Sequence, residues 1–201
     1  MQMTQQKQQN NAVTSWKVNK MAKLNYTLIL NELEQTLSAV NAEDAHTFEQ
    51  KVLEANAVFV SGKGRSGFVA NSFAMRLNQL GQRAYVVGES TTPSIQQGDV
   101  FIIISGSGST AHLKLLAEKA KEVGAEVLLI TTKPDSPIGS LADLAIELPA
   151  GTKHDAEGSD QPLGSLFEQS ALILLDSLVL NLQEQLKISE EKMQQNHANL
   201  E

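Results

Sequence analysis

The chain has 201 residues and a formal net charge of −7; 41% of residues are hydrophobic, 4% aromatic, and cysteine is absent. That length and apolar share suit one domain with a substantial core, while the lack of thiols excludes disulfides, thiol nucleophiles and thiolate metal sites. An acidic balance with so few aromatics argues against a nucleic-acid partner, yet it leaves an anionic small ligand open, because local backbone donors override the global field.

Met1 to Lys23 is rich in Gln and Asn without apolar periodicity and is expected to be a disordered extension, with Met21 an alternative start. No run reaches the roughly 18 apolar residues of a membrane span, and a basic-then-apolar leader is missing, so a cytoplasmic protein with no membrane partner is expected. From Leu24 onward a single domain is expected. Leu24, Leu28, Leu30, Leu33 and Leu37 stand at roughly helical spacing, and a second helix is predicted from Ala42 to about Glu54.

The chain then alternates. Strands are predicted over Ala57 to Ser61, Ala84 to Val87, Val100 to Ser105, Glu126 to Thr131 and Leu144 to Leu148, and helices over Ser66 to Leu80 and Thr110 to Val123. The unbroken apolar runs Val58-Phe59-Val60, Val100 to Ile104 and Val127 to Ile130 are those of strands buried on both faces, as in a doubly wound α/β fold with a parallel sheet. A long apolar helix follows over Leu166 to Leu186, whose stripe Leu172, Leu175, Leu178, Leu182 and Leu186 is read as core or subunit interface. The tail from Ser189 to Glu201 has the pattern of a short helix with a fraying end.

Two glycine-rich loops each join a strand to a helix. The first, Gly62-Lys63-Gly64-Arg65-Ser66-Gly67, satisfies G-x-G-x-x-G, and Glu89 ends the next strand where a dinucleotide fold places its ribose-reading acid. A dinucleotide-binding protein therefore stays open on these residues. Gly62, Gly64, Arg65 and Ser66 are candidate ligand contacts at a helix start; Glu89 touches a ligand or merely closes its strand, and the role of Lys63 stays open, solvated loop lysines being usual. The second loop, Ser105-Gly106-Ser107-Gly108-Ser109-Thr110, offers hydroxyls and successive backbone N–H groups as a neutral nest for one phosphomonoester. Neither loop has the Walker A spacing. His154 and Asp155 have no further ligand at a motif spacing, so no metal site is predicted.

The second loop resembles the phosphate loop of the sugar isomerase (SIS) domain family. Within that family, Gly64 to Gly67, Phe73 to Leu77, Val87 to Glu89, Thr92-Pro93, Ser105 to Gly108, Gln161 to Glu168 and the C-terminal His197 to Glu201 are similar to the 6-phospho-3-hexuloisomerases, over roughly Leu24 to Glu201. Ser109 stands where many relatives carry a charged residue.

The resemblance implies a five-stranded parallel sheet flanked by helices in an α-β-α sandwich, assembled as a homotetramer with shared active sites. It also implies interconversion of D-arabino-hex-3-ulose 6-phosphate and fructose 6-phosphate through a 2,3-enediol(ate). That is the second step of formaldehyde fixation by the ribulose monophosphate pathway, metabolically coupled to hexulose-phosphate synthase. The reaction requires no cofactor. By the same resemblance Glu168, partly desolvated at the start of an apolar helix, is the candidate base, and His197, donated by a neighbouring subunit, shuttles a proton between O2 and O3 or assists ring opening in reverse. On residues alone the favoured readings are a first-turn carboxylate complementing a helix dipole for Glu168 and an exposed tail histidine for His197. A non-catalytic sugar-phosphate sensor and an isomerase of another sugar phosphate also fit.

Overall fold

The computed structural model describes residues 24–151 and 159–200. The expected N-terminal extension, His154, Asp155 and Glu201 lie outside the described residues. The chain divides into two units, Met1–Asn31 and Glu32–Glu201. Of the first, the described residues 24–31 begin helix α1 (Tyr26–Ser38); all that follows concerns the second.

After α1 come α2 (Ala42–Glu54), β1 (Val58–Gly62), α3 (Arg65–Gln79), β2 (Ala84–Val86), β3 (Val100–Ile104), α4 (Ala111–Glu122), β4 (Glu126–Thr131), β5 (Leu144–Glu147), α5 (Ser165–Leu186) and α6 (Glu190–Gln195). These elements match the sequence expectation to within a residue or two at their ends. Capping sets one boundary directly: Asn41 accepts hydrogen bonds from the Glu43 and Asp44 amides and starts α2.

The strands form one parallel sheet in the order β2-β1-β3-β4-β5. Alternate residues of each strand serve different cores. Val58, Val60, Val100, Ile102, Ile104, Leu128 and Ile130 face a core completed by α2, α3 and α5 through Phe48, Phe73, Leu77, Leu175 and Leu178. Phe59, Phe101, Ile103, Val127 and Leu129 face the opposite core, completed by Leu113, Ala117 and Ala120 of α4. Both faces of the sheet are thus apolar, which is why the strands read as continuous hydrophobic runs rather than alternating ones.

By length and composition, the segment Pro162–Leu186 that contains α5 is apolar enough to cross a membrane. Its leucines are used differently: Leu166 is buried, and Leu174, Leu175, Leu178 and Leu182 are buried in the core beside α2 and α3. Of the predicted stripe, Leu175, Leu178 and Leu182 are core residues, and Leu172 and Leu186 pack against them from the edge.

From β1 the chain crosses through α3 on one face of the sheet, and from β3 it crosses through α4 on the other. The two strands are neighbours, so the loops at their carboxyl ends diverge and leave a crevice between them. That is the switch point at which open α/β sheets hold ligands.

Candidate active site

The crevice is a cavity of about 260 Å³. The turn after β1 contributes Lys63, Gly64, Arg65 and Ser66; β3 and its loop contribute Ile104, Ser105, Gly106, Ser107 and Thr110; the approach to α5 contributes Leu163, Gly164, Phe167 and Glu168, with Leu113 beneath.

Helices α3 and α4 both begin at this cavity, and neither has an acidic residue in its first turn. Their unpaired N–H groups and positive dipole ends are therefore not neutralised by their own sequences, which favours an anion between them. Thr110 holds the N-cap position of α4, yet its side chain makes no capping hydrogen bond. Thr110 lines the cavity, so the hydroxyl of a residue type that usually caps is not engaged in capping at the site.

Glu168 lies in the first turn of α5, and its carboxylate Oε2 accepts a hydrogen bond from Arg65 Nε. The glutamate side chain is 15% exposed and the arginine 62%. A shielded carboxylate thus meets an exposed cation at the cavity wall, between the start of α3 and the start of α5. Glu168 is positioned by the turn before it, where Leu163 (φ 58°) and Gly164 (φ 79°) adopt successive left-handed conformations. The chain entering that turn is held by Glu32 of α1, whose carboxylate accepts from Ser159 Oγ at 2.9 Å, the Asp160 amide at 2.7 Å and Gln161 Nε2 at 2.8 Å. Burial alone would push the Glu32 pKa up, but these hydrogen bonds outweigh it and hold the carboxyl below its ordinary value.

The expected ligand contacts divide into two groups. Gly64, Arg65, Ser66, Ser105, Gly106, Ser107, Thr110 and Glu168 all line the cavity. Gly62, Gly108, Ser109, Glu89 and His197 do not. Gly62 makes the turn: a Cβ there would stand 2.6 Å from the Ser66 carbonyl group. Gly108 (φ 56°) backs onto Ser136, whose Oγ would lie 1.9 Å from an added Cβ. Ser109 donates its hydroxyl to Ser107 Oγ at 3.1 Å and so supports a lining residue. Glu89 is exposed in the turn after β2, where its amide bonds the Val86 carbonyl. His197 lines a separate cavity of about 310 Å³ with Arg76, Gln79 and Met193.

Lys63, whose role the sequence leaves open, is part of the lining. Leu163, Gly164 and Phe167 belong to the Gln161 to Glu168 motif, in which only Glu168 carries a chemistry that the sequence alone points to, yet all three line the cavity. Phe167 acts through shape, since a Cβ on Gly106 would sit 3.1 Å from its ring. Among the described residues no three histidine, aspartate or glutamate side chains gather as a metal ion would require.

The SIS domain matches residues 51–175 of this chain. The 3-hexulose-6-phosphate isomerase of Bacillus subtilis is 43% identical over 176 residues, covering 86% of this chain and 95% of that protein. The 3-hexulose-6-phosphate isomerase of Methylomonas aminofaciens is 43% identical over 173 residues, covering 82% and 94%. A crystal structure of a Methanococcus jannaschii protein, for which a 3-hexulose-6-phosphate isomerase function was inferred, superposes with a TM-score of 0.77 at 32% identity, covering 88% of this chain and 99% of that one. By its domain, its fold and its identity over nearly the whole length of these relatives, the chain belongs to the SIS domain family, among the 3-hexulose-6-phosphate isomerases.

Proposed function

We propose that this chain is a 6-phospho-3-hexuloisomerase that interconverts D-arabino-hex-3-ulose 6-phosphate and fructose 6-phosphate, with Glu168 as the base that moves the carbon-bound proton. The observation that carries the reading is a shielded carboxylate paired with a guanidinium in the same cavity as two helix N-termini. The substrate phosphate lies in the loop after β3, held by the hydroxyls of Ser105, Ser107 and Thr110 and by loop amides, with Lys63 supplying opposite charge. That leaves the ketose carbons toward Arg65 and Glu168.

Glu168 removes the proton from C2. The C–H electron pair becomes the C2=C3 double bond and the C3 carbonyl pair moves to O3, where Arg65 faces the enediolate charge. Returning the proton to C3 while the hydrogen on O2 passes to O3 gives the 2-ketose. The substrate is neither oxidised nor reduced overall, and one base on one face serves both carbons. His197 carries the proton between O2 and O3. Within one chain it lines a different cavity from Glu168, which supports its donation by a second copy in a homotetramer with shared sites. The enzyme then works in the cytoplasm, downstream of hexulose-phosphate synthase in formaldehyde fixation.

The deciding experiment supplies fructose 6-phosphate to this protein and a hexulose-phosphate synthase and follows formaldehyde and ribulose 5-phosphate. Release that depends on this protein is the expected result. A folded protein that binds phosphosugar and releases none overturns the assignment.

A further inference from the structure

We infer that Thr131 and Thr132, at the end of β4, are positioning residues that aim and strengthen the Ser107 amide as the principal backbone donor to the substrate phosphate. The inference rests on the reading of the loop after β3 as the phosphate site; neither threonine lines the cavity.

The Gly106 carbonyl oxygen accepts from Thr132 Oγ1 at 2.8 Å, from Thr131 Oγ1 at 3.1 Å and from the Thr132 amide at 3.1 Å. Three donors converge on an acceptor with two lone pairs. The direction of the Thr131 bond is fixed, because its oxygen also accepts from the Lys133 amide at 3.1 Å, which leaves its own hydrogen for Gly106. Thr131 is fully buried, so water does not compete with this arrangement.

The Gly106 carbonyl and the Ser107 N–H belong to one planar trans peptide unit, in which the two bonds point in opposite directions. Pinning the oxygen back against β4 therefore turns the Ser107 N–H forward, and Ser107 lines the cavity. Among the described residues no protein acceptor is found for that N–H. Hydrogen bonds to the carbonyl also polarise the amide and make its N–H a better donor, the cooperative effect seen in hydrogen-bonded chains. Two further loop carbonyls are engaged by protein donors: Gly108 O accepts from the Ile138 amide at 2.9 Å and Ser105 O from the Gly108 amide at 3.1 Å. The carbonyl oxygens of Ser105, Gly106 and Gly108, which would repel an anion, are thus each engaged by protein donors.

The test compares Thr131→Val, Thr132→Val and the double variant with Thr131→Ser and Thr132→Ser, reading KM and kcat for the sugar phosphate and competitive inhibition by inorganic phosphate. With one or two hydrogen bonds lost behind the amide, the double valine variant should raise KM and the phosphate inhibition constant in parallel by about five- to thirtyfold, with kcat within about twofold. The serine variants, which keep the hydroxyl, should stay near wild type. In amide NMR the phosphate-induced shift of Ser107 should shrink in the valine variants and survive in the serine variants, a readout that loss of stability alone would not move. If Thr131→Val does not fold, Thr132→Val, at a half-buried position, carries the same comparison.

Unchanged KM, inhibition constant and Ser107 shift in folded valine variants overturn the inference. Ser105→Ala and Thr110→Val separate this from failure of the underlying reading. If they weaken phosphate binding while the valine variants do not, only the positioning role falls. If they too leave it unchanged, the phosphate is not in this loop and both readings fall.

Discussion

Arg65 and Glu168 are separated by 103 positions in the chain, and their ion pair forms because α3 and α5 both begin at the crevice. With Glu168 as the base, Glu168→Gln keeps the shape and loses the proton acceptor. It should lower kcat by about 10²- to 10⁴-fold with little change in KM, and loss of deuterium exchange at C2 of the substrate checks that the proton step is the one affected. At Gly108 the consequence is structural. Alanine there would carry a Cβ 1.9 Å from Ser136 Oγ at a φ of 56°, so Gly108→Ala should lower stability by about 2 kcal/mol or more, read from the urea midpoint. Both glycine loops were legible as residues, because their glycine and serine content states what backbone and hydrogen-bonding chemistry is possible. The division of labour inside them was not. Gly62 and Gly108 shape the turns rather than face the cavity, and only neighbouring atoms from α3 and the segment after β4 reveal this.

Element by element, the strands and helices were readable from period and caps because their apolar residues record burial on both faces of the sheet. What the pattern did not show was the grip of α1 on the entry to the Glu168 turn. Glu32 sits on a helix read only for its leucines, and its partners are 127 to 129 positions away. Its pKa is depressed in the folded state, so its contribution to stability is present above the unfolded glutamate value of about 4.3 and is lost as pH falls through the lower folded value. Glu32→Gln should therefore flatten the acid side of a plot of urea midpoint against pH, most visibly below about pH 4.3, and leave its slope near pH 7 unchanged. A variant whose acid slope matches that of wild type would show that Glu32 does not govern it.

For the molecule as a whole, the separation of Glu168 and His197 into two cavities turns the shared-site reading into a mixing experiment. Glu168→Gln and His197→Ala protomers, each inactive or slow alone, should regain activity when dissociated and reassembled together. Random pairing would give about a quarter of the wild-type sites both intact groups. Activity that stays at the mean of the two parents would place both groups of each site in one chain.

The sequence by itself determined the parallel α/β class, the order of elements, the presence of two loops suited to an anion and the likeness to a family of sugar-phosphate isomerases. The first three follow from local periodicity and from the conformational needs of glycine and serine, which neighbouring residues in the chain express directly; the likeness rests on motifs such as Ser105 to Gly108 and Gln161 to Glu168. Only the tertiary structure decided which candidates share a cavity: Arg65 with Glu168 inside it, Glu89 and His197 outside it, and Thr131 and Thr132 behind the loop. Those relations depend on the strand order β2-β1-β3-β4-β5, which brings β1 and β3 side by side and sends their helices to opposite faces. Contacts of that range are set by how apolar faces pack across the sheet, and spacing along the chain does not encode them.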